Sequence, residues 1–263
     1  MLPTPEHLVS LVSDSLSGLG LSAGSNILIH ADVTSIARLC AQSDWSASLK
    51  VLDDAINKVI GPSGNLLVPT FNWDFCKGVP YNDLLTPSRQ GVFANYVRKQ
   101  ARSKRSGHPI FSFSGYGPDI GNLFEGISNS SFGPNSVFDR IHKLNVNLIF
   151  FNTTFYNCTF VHHIEHMMQV PYRYSKNFTG QVTINEKTYT DTYEFYVRDE
   201  KLNVHSYPTR LGDRLLEMQL MRFVECDSGR IYCVKAQDVY EVAINSLSKD
   251  QYYLLKSNPN DVE

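Results

Sequence analysis

The densest run of groups able to do chemistry is His162-His163-Ile164-Glu165-His166. Wound as an α-helix, it brings His162, Glu165 and His166 onto one face, at i, i+3 and i+4. Two chemistries fit that face. The string matches H-x-x-E-H, in which two imidazoles hold zinc and the carboxylate serves as base. Such a site needs a further ligand from downstream, for which Glu225 or Glu241 can be nominated. Alternatively, the His162 imidazole takes a proton directly, while Glu165 fixes its tautomer and stabilises the imidazolium. The inert reading is a helix with two solvated histidines and one packed. Spacing alone leaves the three open.

A second candidate is Arg105-Ser106-Gly107-His108-Pro109. His108 precedes proline and is biased towards an extended conformation. Basic groups (Arg102, Lys104, Arg105), glycine and the hydroxyls of Ser112 and Ser114 suit phosphate contacts; the bland alternative is a solvated charged loop. Other templates fail. The chain has no G-x-S-x-G elbow and no Walker loop. Gly115-Tyr116-Gly117 followed by Gly121 misses the dinucleotide fingerprint by one residue.

The elements that must position these groups follow from hydrophobic periodicity. Residues 8–19 read as a helix stopped by glycine, and 45–60 as a second, amphipathic one. Segments 26–30, 65–71 and 146–151 are short apolar runs, read as buried strands; 110–116 alternates Phe and Ser, a strand with one buried face. Residues 74–87 read as an irregular loop, 91–101 and 158–168 as helices, 181–189 and 193–197 as alternating segments, and 236–247 as a closing helix. Strands and helices alternate through the first two-thirds. The expected fold is α/β: a central mixed sheet flanked by helices, forming a single domain over 1–263 with a β-rich insertion near 176–205. In such folds ligands gather at the carboxyl ends of the strands, where His30, Thr70 and Asn152–Thr154 fall.

Composition narrows the partners. The 263 residues carry 24 Lys+Arg against 26 Asp+Glu, a net charge of -2, with 42% hydrophobic residues. That balance gives no general attraction to nucleic acid. The apolar runs are too short to span a bilayer, and no secretory leader is visible, so a cytoplasmic protein is expected. The cysteines, Cys40, Cys76, Cys158, Cys226 and Cys233, are odd in number and widely spaced, which reads as small buried apolar residues rather than disulfides or a thiolate metal site.

Four stretches carry a resemblance to the aminoglycoside 3-N-acetyltransferase family, a group of acyl-CoA-dependent N-acyltransferases. Residues Gly61 to Phe71 (GPSGNLLVPTF) resemble its glycine turn, strand and Pro-Thr-Phe ending; Thr86-Pro87-Ser88-Arg89 its T-P-[ST]-R segment; Arg105-Ser106-Gly107-His108-Pro109, with Ser112 and Gly117, its R-S-x-H-P…S…G motif; and Thr159-Phe160-Val161-His162-His163-Ile164-Glu165 its T-x-x-H-x-x-E helix. The order agrees over roughly 25–175 and is looser after 206. The resemblance implies His162 as general base and Glu165 as its orienting partner, with acyl-CoA as co-substrate and no metal. It offers Thr70 and backbone N–H groups for the oxyanion, and places the acyl-CoA site at His30, Ala31, Asp32, Ser106, Gly107, His108 and Ser112.

Two departures bear on the substrate. The family's H-S-S-[LM] after the first strand reads His30-Ala31-Asp32-Val33 here, and its glycine pair before the second helix is replaced by Ser43-Asp44-Trp45. Aminoglycosides are polycations, whose sites should be lined by several carboxylates. Here Asp32, Asp74, Asp83 and Glu165 are set against Arg89, Arg102, Lys104 and Arg105, among many aromatics. That mixture points to an anionic, base-bearing amine: a dTDP-linked amino deoxysugar for surface polysaccharide, acylated with acetyl or a longer chain such as 3-hydroxybutanoyl. The expected substrate contacts are Phe71, Asn72, Trp73, Tyr81, Asn152, Phe155 and Tyr156. Aminoglycoside acetylation, an antibiotic-resistance activity, is the alternative, and a zinc hydrolase on His162, Glu165 and His166 a third. A homodimer is allowed; no nucleic acid or membrane partner is expected.

Overall fold

The structure is a computed structural model that describes residues 3–39, 45–227 and 229–258. Expectations for Cys40, Ser43 and Asp44 fall outside these residues.

Ten strands and nine α-helices are found among the described residues. The strands are β1 (Asn26–Ala31), β2 (Asn65–Pro69), β3 (Tyr81–Asn82), β4 (Lys104–Arg105), β5 (Phe113–Tyr116), β6 (Asn147–Phe151), β7 (Arg173–Ile184), β8 (Lys187–Arg198), β9 (Arg222–Cys226) and β10 (Gly229–Lys235). The helices are α1 (Pro5–Gly18), α2 (Thr34–Leu39), α3 (Trp45–Ile60), α4 (Val92–Arg98), α5 (Ile120–Phe124), α6 (Val137–Lys143), α7 (Val161–Met167), α8 (Thr209–Glu217) and α9 (Ala236–Leu247).

Seven strands form one mixed sheet in the order β4-β5-β2-β1-β6-β10-β9. Its centre, β2-β1-β6, is parallel. Antiparallel strands close both sides. Period-two alternation explains why the apolar runs lie in the middle. Ile27, Ile29, Leu66, Val68, Ile149 and Phe151 face one core with Leu8, Val12 and Leu16 of α1 and the apolar stripe of α3. Leu28, Leu67, Leu148 and Phe150 face the other, with α6 to α9. The asparagines opening the three central strands tie their starts together: Asn65 Nδ2 donates to Asn26 Oδ1 (2.7 Å) and Asn147 Nδ2 to the Asn26 carbonyl (2.9 Å).

Some expectations shift. Residues 110–116 supply only the four-residue β5, buried on both faces. Gly115 is required there: a Cβ would lie 2.1 Å from the Leu66 carbonyl. The alternating segments near 181–197 belong to one hairpin of two 12-residue strands, β7 and β8. Its two-residue turn places Asn185 and Glu186 at positive φ (48° and 64°), the twist that tight hairpins need. β3, inside the expected loop, pairs with β7 to make a second, three-stranded sheet. No helix among the described residues is long and apolar enough to cross a membrane. Cys158 and Cys233 are buried and Cys76 and Cys226 half-buried, and none of these four forms a disulfide.

Candidate functional site

The C-terminal ends of β1 and β2 open into a cleft of about 490 Å³, within the range of small-molecule sites. α7 forms one wall and contributes His162. One helical turn brings Glu165 beneath it, and His162 Nδ1 lies 2.6 Å from Glu165 Oε2. Arg173 Nη2 also lies 3.1 Å from Nδ1, but the shorter contact with an ionised carboxylate assigns the hydrogen to Nδ1, which leaves the lone pair on Nε2. Glu165 is fully buried. Two further groups satisfy it: the Tyr172 hydroxyl donates to Oε1 (2.9 Å) and Arg173 Nε lies 2.7 Å from Oε2. Arg173 also holds Ser206 Oγ at 3.3 Å, which ties α7 to the loop before α8.

The electrostatics favour a neutral base beside an ionised carboxylate. Burial, reinforced by the Arg173 charge, holds the His162 imidazole below its ordinary value in spite of Glu165. Burial pushes the Glu165 carboxyl up, but Arg173 and His162 outweigh it and leave the group below the usual carboxylate range. Burial also pushes the Tyr172 hydroxyl far up, so it remains a donor. The ensemble presents a proton acceptor of fixed tautomer at a cleft wall.

The zinc reading of H-x-x-E-H is corrected by this geometry. Glu165 is consumed by its three partners, and His166 Nε2 turns instead to Glu194 Oε1 (3.2 Å). Of the nominated third ligands, Glu225 pairs with Arg230 on β9–β10.

The other expected site residues divide. His30, Ala31, Asp32, Phe71, Trp73 and Tyr156 line the same cleft as His162. His30 stacks on Phe150 (5.5 Å between centroids), and burial lowers it to about 4, so it too is neutral. Asp32 is exposed, and its Oδ1 accepts from Thr34 N (2.9 Å). Thr70, Asn72, Tyr81, Ser106, His108, Ser112 and Phe155 are buried in the protein's own bonding and do not line the cleft. Asn152 spans the ends of β6 and β1 by donating to the Asp32 carbonyl (3.2 Å).

The physical reason for much of this is Arg105. Its guanidinium donates to the carbonyls of Asp83 (3.1 Å), Thr86 (2.5 Å) and Thr70 (2.8 Å), and to Ser112 Oγ (3.0 Å). It is a clamp between the 83–86 segment and the end of β2. Ser106 Oγ accepts from Phe113 N, and Thr70 Oγ1 meets Ser112 Oγ. Gly107 lies with Lys104 and Arg105 on a separate cleft of about 460 Å³. His108 Nδ1 accepts from the amides of Ile110 and Phe111 (3.2 and 3.1 Å).

Burial lowers His108 from 6.5 to about 4. The unfolded chain therefore binds more protons than the folded one between these values, and stability falls as pH drops from about 6.5 to about 4. His30 acts in the same direction over the same window. Thermal melts from pH 7.5 to 4.5 should show a melting temperature that declines below pH 6.5; one that rises on acidification contradicts these buried neutral imidazoles.

Sequence reasoning missed Arg173 as a partner of Glu165, and Gln90, Asn157, Ser206 and Pro208 as cleft residues. Arg89, also in the lining, was visible in the T-P-S-R segment but not assigned a contact; it pairs with Asp74 (2.6 Å). Nothing in the local pattern around 206–208 marks it as part of a site.

Comparison with known proteins adds the following. Residues 28–248 match the family model for aminoglycoside 3-N-acetyltransferase. Over 124 residues the chain is 28% identical to the SPbeta prophage-derived aminoglycoside N(3')-acetyltransferase-like protein YokD of Bacillus subtilis (strain 168). That alignment covers 40% of this chain and spans a little under half, 45%, of the relative. The crystal structure of the aminoglycoside acetyltransferase AAC(3)-Xa superposes with a TM-score of 0.79 at 18% identity, over 94% of this chain and 93% of that one. AAC-IIIb in a binary complex with CoASH gives 0.77 at 17% identity, over 94% and 97%. At these identities the likeness establishes a shared fold.

Proposed function

The chain belongs to the aminoglycoside 3-N-acetyltransferase family, and on that footing we propose that it moves an acetyl group from acetyl-CoA to an amine of an aminoglycoside, with His162 as the general base. The observation that carries this reading is the His162–Glu165 pair, backed by Arg173 and Tyr172, at the wall of a cleft on the parallel strand ends. An alkylammonium is not a nucleophile. The neutral amine is the reactive form: His162 Nε2 takes a proton from its nitrogen as that nitrogen bonds to the thioester carbonyl carbon, the C–S bond breaks, and the imidazolium returns the proton to the departing thiolate. Glu165 steadies the imidazolium that results, and Arg173 keeps Glu165 ionised. Acetylation converts a cationic amine into a neutral amide, which weakens any polyanion-binding drug.

The cleft suits the co-substrate's pantetheine arm. Apolar walls from Ile29, Val68, Phe93 and Val161 alternate with the amides of Gln90 and Asn157 and the hydroxyl of Thr159. A narrow, amide-bearing chain needs that mixture.

The expectation of a dTDP-linked amino sugar is corrected. The family match over 28–248 and the relatives' names point to aminoglycosides. The charge argument failed because it pooled groups that the fold separates. Arg102 pairs with Asp53 (2.5 Å) and lies over the Tyr116 ring, Lys104 pairs with Glu125 (3.2 Å), and Arg105 is the internal clamp. Arg89 is neutralised by Asp74. Of the aromatics, Tyr81, Phe155 and Tyr172 are core and lie outside the cleft lining. The cleft retains Asp32 as an exposed carboxylate.

Asp32 therefore supplies attraction for a polycation. Asp32→Asn preserves the oxygen that accepts from Thr34 N and removes only the charge. It should raise KM for the aminoglycoside about 5-fold, equivalent to about 1 kcal/mol, with kcat nearly unchanged and the KM difference shrinking at high salt. An unchanged KM removes Asp32 from the acceptor site. Thiol release from acetyl-CoA, followed with a panel of aminoglycosides, tests the function as a whole. Release that depends on the aminoglycoside supports it, and release no faster than with acetyl-CoA alone refutes it.

A further inference from the structure

Behind the catalytic face of α7 lies a second cluster that the acetyl-transfer chemistry does not use. His163 is fully buried, and its Nδ1 sits 2.6 Å from the Phe132 carbonyl. Nδ1 therefore carries the hydrogen and donates it. That fixes a lone pair on Nε2, and Nε2 is buried with no hydrogen-bond partner. Orphaned buried acceptors are rare, because each forfeits its hydration without compensation. An imidazole oriented through Nδ1–H by a backbone carbonyl, with the Nε2 lone pair unspent, is the form in which histidine binds metal.

Two neighbouring side chains can supply the rest of a ligand set. Asp139 and His142, three apart on α6, each bring a donor atom, and the three donors of Asp139, His142 and His163 lie within 4.8 Å of one another. The elements packed around them hold this geometry. His142 stacks on Tyr240 of α9 (3.8 Å between centroids), and Asp139 Oδ2 accepts from Asn135 N and Lys143 Nζ, both at 2.7 Å. The carboxylate is thus anchored through Oδ2. His142 is half-buried, so the cluster is not sealed from solvent.

We propose that Asp139, His142 and His163 form a zinc-binding site that braces α7 against α6. Two imidazoles and one carboxylate around an open position are a zinc donor set. Bonds of about 2.0–2.1 Å would draw the donors together by roughly an ångström. None of the three residues lines the catalytic cleft. The ion accordingly acts on stability: it fixes α7, on which His162 directly precedes His163.

The test uses the full chain stripped with EDTA and titrated with zinc chloride alone, read by elemental analysis and thermal melting. The expected result is one zinc per chain and a melting temperature raised by about 5–10 °C at free zinc about 100 times Kd. His142→Phe keeps the stack on Tyr240 and removes a ligand. It should match the wild type's melting temperature in EDTA, weaken zinc binding by more than about 100-fold, and lose the rise. Two outcomes overturn the proposal. No stoichiometric zinc and no rise in the wild type means that a buried water satisfies His163. An equal rise in His142→Phe means that zinc binds elsewhere on the chain.

Discussion

On the proposed mechanism, His162→Ala should lower kcat for aminoglycoside acetylation by about 10²–10⁴-fold, with little change in KM for acetyl-CoA. The size follows from what is removed. With Nδ1 committed to Glu165, Nε2 is the ring nitrogen left to accept a proton in the proposed mechanism, on a residue that lines the cleft. Water must replace it, and water is a far weaker base held in no fixed geometry. The fold should survive, since Glu165 keeps Arg173 and Tyr172 when the imidazole is gone. A thermal melt close to wild type beside a collapsed kcat separates a chemical role from a structural one. The pH profile is a companion signature. Because burial and Arg173 hold His162 below 6.5, kcat/KM should rise with pH through an acid limb lying under that value, and the limb should vanish in the variant. Retention of wild-type kcat removes His162 as the base.

Arg173→Met has the largest expected effect on stability. The Arg173 side chain is 6% exposed and that of Glu165 1%, so the substitution strands a carboxylate in the interior. Breaking a buried pair from one side costs about 3–5 kcal/mol, or a fall in melting temperature of about 6–20 °C for a chain of this size. The pH dependence has a definite sign. In the wild type Glu165 titrates below its ordinary 4.5, so its contribution is present above that value and is lost as pH falls through the folded one. In the variant desolvation wins, the carboxyl is raised, and the penalty grows as pH rises. The gap between the two proteins should therefore be widest at neutral pH and narrow towards pH 4.5. Glu165→Gln placed on the same chain should recover part of the loss. Melts at pH 7.5 and 5 check this, and a variant within a degree of wild type at both contradicts the buried pair.

The sequence made some of this legible. β1, β2 and β6 are apolar runs flanked by turn residues, and α3 has a long amphipathic period; their bounds hold to within two residues. The i, i+3 spacing of His162 and Glu165 is a local property, and local geometry delivered the pair. What escaped depends on distant chain. Arg173 lies only eight residues beyond Glu165, but it meets the carboxylate across the turn between α7 and β7, and no helical spacing rule encodes that; the other contacts come from further away. The 105–112 motif has residues suited to phosphate, yet Arg105 spends its donors on carbonyls of Asp83, Thr86 and Thr70, which come from other parts of the chain. The hairpin was underestimated because its outer residues are Thr, Tyr, Lys and Asn, without a strong apolar alternation. The mixture of acidic and basic residues misled for a related reason. Listing charges says nothing about which are already paired, and Arg89, Arg102 and Lys104 all are.

The most direct measurement of the central claim is mass spectrometry and NMR of an aminoglycoside after incubation with acetyl-CoA and the wild-type protein, beside His162→Ala at equal concentration. The account predicts a product bearing one acetyl group on the 3-amine, formed by the wild type and at least about 100-fold more slowly by the variant. No acetylated product from any aminoglycoside in the panel, or equal product from both proteins, would contradict it.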